Sequence, residues 1–143
     1  EGLHVLARTF AAGVADDGHE VVVVAPDRDW SGAGAALGTL RPDVLVEARA
    51  VEIPGLDAPA FAVGGPPGMC VLSARLEAFG PPPDLVVSGV NIGLNTGRAI
   101  LHSGTVGAAL TAQNFGFSGL AVSVQSADPR FDTCFDTRPR LGP

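Results

Sequence analysis

Cysteine is scarce. The chain of 143 residues holds two, Cys70 and Cys134, far apart and in no Cys-x-x-Cys pair. That spacing argues against a zinc site, leaves a lone disulfide open, and makes the cytosol the default compartment. Charge is sparse as well, at 17% of residues, and the excess is negative, with a net value of −6. General nucleic-acid binding needs a basic face, so no nucleic-acid duplex is expected as a partner. A small phosphorylated ligand stays possible, because one local site can oppose the global sign. No apolar run reaches transmembrane length and no secretory leader is visible, so neither a membrane partner nor export is expected, and the location reads as cytoplasmic. Internal repeats and domain linkers are also missing. Residues 1–143 therefore read as a single domain, long enough to bury a sizeable core.

The remainder is globular in composition. Hydrophobic residues make up 46%, and 19 Gly with 12 Pro imply many loops between short elements. Leu3, Leu6, Phe10 and Val14 fall at helical spacing, and Gly18 follows as a stop. "EVVVVAP" (20–26) predicts a strand buried on both faces of a parallel sheet. "DRDWSGAGAALG" (27–38) predicts a loop. "VLVEARAVEI" (44–53) alternates weakly, as a strand or hairpin arm, and "AFAV" (60–63) predicts a short strand. Pro66 and Pro67 open a predicted helix over 68–79. "PPPDLVVSG" (81–89) predicts a strand, 103–116 a helix ended by Gly116, and 119–124 a further buried strand. The tail from 125 to 143 has no convincing period and reads as irregular. Alternation of helices with buried strands predicts a three-layer α/β fold, Rossmann-like, with a mostly parallel sheet.

In such a sheet, ligands bind beyond the C-terminal ends of the strands. Three polar segments leave those ends: "PDRDWSGAG", "SGVNIGLNTG" and the turn into "HSGTVGAAL". Ser103, Gly104 and Thr105 would stand at a helix N-terminus, where free N–H groups and the helix dipole favour an anion. Ser103 is equally suited to an ordinary helix cap. Asn91 and Asn95 carry amides that can ligate a metal or donate to phosphate, and they are also common turn formers. Ser31 has the same two readings.

Taken together, in order and spacing, "GHEVVVVAPDRDWSGAG", "PDLVVSGVNIGLNTG" and "SGTVGAAL" resemble the SurE (survival protein E) family of nucleotidases. "GGPPGMCVLSA" sits where that family has a Gly-Thr-Pro-Ala-Asp-Cys stretch, and the resemblance runs from Glu1 to about Val124. It implies a metal-dependent phosphatase, a 5′-nucleotidase or acid phosphatase, acting on nucleoside 5′- and 3′-monophosphates. It further implies one Mg²⁺ or Mn²⁺ per subunit and a homodimer or homotetramer. Ser31 and Asn91 match the family's metal-binding positions; Gly32, Asn95, Ser103, Gly104 and Thr105 match positions lining its phosphate pocket. Oxygen ligands of this kind suit a hard dication.

Departures accompany the match. The family begins with a strand ending in Asn-Asp-Asp-Gly, whose two Asp bind the metal, and that segment is not in this sequence. No catalytic residue is therefore assigned, and the chain as given is expected to be nearly inactive. Asp16-Asp17-Gly18 imitates the segment but falls at the end of the first helix, and reads as a solvated helix end. Met69 replaces the usual Asp of the Pro-Ala-Asp-Cys block, Ala35 stands where the family often has His, and the family's long C-terminal part is missing after about residue 130. His4, His19 and His102 form no base-and-orienter pair. Two other readings remain: half of a nucleotide-sugar glycosyltransferase, in which "GHEVVVVAP" is common, or a non-catalytic phosphate-binding fragment.

Overall fold

The computed structural model describes residues 2–125, with side chains from residue 9 onward. The chain opens with helix α1 (Gly2–Asp16), ended at Gly18, whose φ of 87° suits glycine. Strand β1 (Val23–Pro26) follows, then a long loop to β2 (Ala48–Ala50) and β3 (Ala60–Val63). Helix α2 (Pro67–Arg75) has Pro67 in its first turn, where the missing N–H costs nothing. Strand β4 (Leu85–Ile92), a 3₁₀ helix (Gly97–His102), α3 (Gly104–Asn114) and β5 (Ser118–Val124) complete the described chain. The class is the expected one: an α/β fold with parallel pairing of β1 to β3 and of β4 to β5. The weakly alternating 44–53 segment supplies β2, an antiparallel arm on β3.

Several expectations need correction. The sheet comes in two parts, ordered β1-β3-β2 and β4-β5, with no ladder joining them among the described residues. β1 therefore pairs on one side only, and none of its residues is fully buried, against the expected burial on both faces. β5 is also more open than expected, with Leu120 48% exposed. Helix α2 ends at Arg75, short of 79, because Glu77 takes a left-handed φ of 61° and breaks the ladder. β4 runs on to Ile92, so Asn91 lies within a strand and not in the loop expected from residue 88. The 3₁₀ helix over Gly97–His102 falls where the sequence pattern predicts only a loop and a turn. Cys134 and the tail beyond Gln125 lie outside the described residues.

Helix α2 ties the two parts together. Its Met69 and Cys70 pack with Val63 of β3, joined by Val24, Leu72 and Phe79. The neighbouring Val71 faces the other way, onto Ala108 and Ala112 of α3 with Val86, Phe115 and Phe117. Helix α3 approaches closely because its buried face is made of small residues: Gly107, Ala108, Ala109, Thr111 and Ala112. The Thr111 hydroxyl on that face donates to the Gly107 carbonyl at 2.7 Å, which satisfies a buried polar group. Met69, where the resemblance leads one to expect an Asp, is a core side chain 3% exposed.

Candidate functional site

The loop after β1 folds back over the start of α3. Gly34 N–H donates to the His102 carbonyl at 3.1 Å. Gly34 and Ala35 lie so close to Gly107 that a Cβ there would overlap the Gly34 carbonyl. The start of α2 adjoins the start of α3, since a Cβ on Gly104 would stand 3.0 Å from the Pro67 ring. The exit of β1, the exit of β3 into α2, and the path from β4 through the 3₁₀ helix into α3 thus meet at one edge. That edge is the one beyond the strand C-termini, where open α/β sheets bind ligands. Two helix N-termini face it with their positive dipole ends.

Ser31 sits on the exposed part of this loop, and Gly32 follows it in a left-handed conformation (φ 90°). The Ser31 hydroxyl donates to Asp29 Oδ1 at 2.6 Å, and the Ser31 N–H donates to the same oxygen at 2.8 Å. These two bonds, the hydroxyl first, hold the Asp29 carboxyl below its ordinary pKa, with slight burial opposing them. Between them stands Trp30, with the Arg28 guanidinium over its ring at 4.6 Å. The Trp30 Nε1 is buried and has no hydrogen-bond partner among the described residues.

Asn91 reaches the same edge through a bulge in β4. Ser88 pairs with Ala121 but Asn91 pairs with Ser123, so β4 spends three steps where β5 spends two. A bulge of this kind re-aims the side chains that follow it. Asn91 is half-buried, and its Nδ2 donates to the Gly93 carbonyl at 2.8 Å. That bond turns the amide so that Oδ1 remains an open acceptor. Two residues past Gly93, Asn95 Nδ2 donates to Ser123 Oγ at 2.7 Å, tying the loop to the end of β5.

Ser103 caps α3: its Oγ accepts from Val106 N–H at 3.2 Å. Both sequence readings are compatible with this, because a capping hydroxyl keeps its own O–H to donate. Gly104 and Thr105 occupy the first turn, half-buried, where backbone N–H groups lack intrahelical partners.

Other groups fall elsewhere. Asp16 and Asp17 are exposed where α1 ends, ahead of β1, at the edge opposite the loop that leaves β1. His19 and His102 are exposed, and the side chain of His4 lies outside the described residues. Cys70 is a free buried thiol, pushed up to about 12 by desolvation. An open cavity of about 670 Å³ lined by residues 50–61 sits at the turn entering β3, again the opposite edge. No cluster of three or more His, Cys, Asp or Glu among the described residues could hold a metal. The donors at the edge are hard oxygens, which fit Mg²⁺ or Mn²⁺ in kind, but Ser31 and Asn91 are neutral. Reading the sequence missed Asp29 and Ser123. An Asp-x-Ser spacing, which favours a side-chain turn, was a visible signal for the first. The second becomes apparent only once β4 and β5 pair.

Comparison with known proteins agrees with this architecture. The family model described as "Survival protein SurE" matches residues 1–141. A 5′-nucleotidase SurE of Methanopyrus kandleri is 41% identical over 111 residues, covering 78% of this chain and 41% of the relative. One from Symbiobacterium thermophilum is 49% identical over 110 residues, covering 76% and 41%. The crystal structure of the SurE protein from Aquifex aeolicus superposes with a TM-score of 0.64 at 35% identity, covering 81% of this chain and 44% of that one. The chain spans 41% to 48% of the relatives from Methanopyrus kandleri and Syntrophobacter fumaroxidans. With a family model matched along almost its full length, and a fold shared with a solved member, this chain belongs to the SurE family.

Proposed function

We propose that the protein carrying this chain is a divalent-metal-dependent phosphomonoesterase that hydrolyses nucleoside 5′-monophosphates, and 3′-monophosphates with them. The observation that carries the reading is the meeting of the Ser31 loop with the N-terminus of α3 at the sheet edge that also receives Asn91. Ser31 Oγ and Asn91 Oδ1 would hold Mg²⁺ or Mn²⁺, which when bound supplies Lewis acidity and a more acidic water. The chain's own part is electrostatic and positional. Backbone N–H groups of Gly104 and Thr105, the hydroxyls of Ser103 and Thr105, and the dipole of α3 hold the phosphate and favour charge that develops on its oxygens. Gly32 leaves the loop backbone open to close approach. Asn95, fixed by Ser123, keeps one amide hydrogen free for the same anion. By itself this chain should bind phosphate weakly and turn over little, since two neutral oxygens retain a hydrated dication poorly.

The test uses the complete gene product. Asn91→Ala should weaken Mn²⁺ binding by about 10–100-fold and lower hydrolysis of nucleoside monophosphates at limiting metal. Unchanged metal dependence would remove Asn91 from the ligand set. The 143-residue chain assayed beside it should show far lower turnover; equal rates would mean that the residues in this chain suffice.

A further inference from the structure

We propose that Asp29 is a positioning residue of this site, fixing the Ser31 hydroxyl so that its lone pairs face a bound dication. The inference rests on the metal-dependent reading above and adds a residue to it.

A serine hydroxyl has one hydrogen and two lone pairs, and it rotates freely unless something holds it. An ionised carboxylate can only accept, so the 2.6 Å contact fixes the direction of the bond: Ser31 Oγ–H points at Asp29 Oδ1. The lone pairs are thereby left for another partner, and the charge-assisted bond makes the oxygen more electron-rich. The N–H of Ser31 donates to the same carboxylate oxygen at 2.8 Å, so the backbone is held along with the side chain. Asn91 is treated in the same way. Its Nδ2 donates to a carbonyl two residues along, which leaves Oδ1 as its open face. Both neutral oxygen donors of the site are thus set as acceptors by a neighbour two residues away.

Asp29 also brings charge. Arg28 is stacked on Trp30, and among the described residues Asp29 makes no ion pair. Its negative charge lies one hydrogen bond behind the proposed ligand. Partners of this kind, one shell out from a metal, typically change its affinity by about 10–100-fold when removed.

The experiment is calorimetric titration of the metal-free complete gene product with MnCl₂, for the wild type, Asp29→Ala, Asp29→Asn, Ser31→Ala and the double variant Asp29→Ala/Ser31→Ala. Asp29→Ala should weaken Mn²⁺ binding about 10-fold or more. The double variant should be no weaker than Ser31→Ala, because Asp29 acts through that hydroxyl. Asn at 29 can accept both bonds without the charge, so Asp29→Asn should fall between Ala and wild type. Melting of the metal-free variants should change little. Wild-type affinity in Asp29→Ala, alongside a weakened Ser31→Ala, overturns the proposal and leaves the metal site standing. Additive losses in the double variant, or Asp29→Asn no better than Ala, overturn positioning in favour of direct ligation or distant charge. Wild-type affinity in both Ser31→Ala and Asn91→Ala would instead overturn the metal reading itself.

Discussion

Gly13 and Gly107 both lie inside helices, and they should respond oppositely to alanine. Around Gly13 nothing lies within 4 Å of a new Cβ, so Gly13→Ala should only lower the entropy of the unfolded chain. We expect about 0.5–1 kcal/mol of added stability in urea unfolding. At Gly107 the Cβ would overlap the Gly34 carbonyl and stand 2.6 Å from the Ala35 nitrogen, both backbone atoms. Gly107→Ala should therefore cost about 1–3 kcal/mol in the same measurement and lift the Ser31 loop off α3. Side chains reached by simple local grammar were legible at this scale. Ser103 before an apolar helix reads as a cap, and Ser31 after a strand reads as an edge residue. Asp29 was not legible in function, because its part depends on which way a hydroxyl rotates.

Strand β4 carries the element-scale lesson. Gly-rich "SGVNIG" reads as a loop from residue 88, since glycine and asparagine weaken strands in isolation. The structure continues the strand to Ile92 because β5 offers a parallel ladder on which it can continue. The glycine is used for the bulge. Gly89 has φ 123°, and a Cβ there would overlap the Val122 carbonyl. Gly89→Ala should cost about 1–3 kcal/mol of stability. It should also weaken Mn²⁺ binding by the complete gene product, since the bulge aims Asn91; a destabilised variant with wild-type metal affinity would separate the two roles. Helix α2 was legible at its start, where Pro fixes the first turn. Its end was not, because the left-handed Glu77 has no signature in the residue type.

For the molecule as a whole, the α/β class followed from alternating elements, whereas the division of the sheet did not. A β-branched run such as "VVVVAP" predicts burial on both faces, whereas β1 has one strand partner among the described residues and no fully buried residue. Helix α2 joins the two parts through the core, with Cys70 in one cluster and Val71 in the other, beside the contact of the β1 loop with α3. Cys70 gives that junction a pH limit. Burial raises its thiol from 9.0 to about 12 in the folded state, so the folded protein keeps a proton that the unfolded chain loses. Stability from this group is complete below about pH 9 and declines as pH rises toward 12. Urea unfolding between those limits should show a fall that Cys70→Ser removes; an unchanged slope would place the alkaline sensitivity elsewhere.

Trp30 has an optical consequence. It is the single Trp in a chain without Tyr, and it stands next to Ser31 with a guanidinium over its ring. Emission excited beyond the absorption of phenylalanine therefore comes, in this chain, from one place, the rim of the proposed cation site. A paramagnetic ion such as Mn²⁺ held by Ser31 would quench that light at short range, so the loop is its own built-in lamp for reporting occupancy.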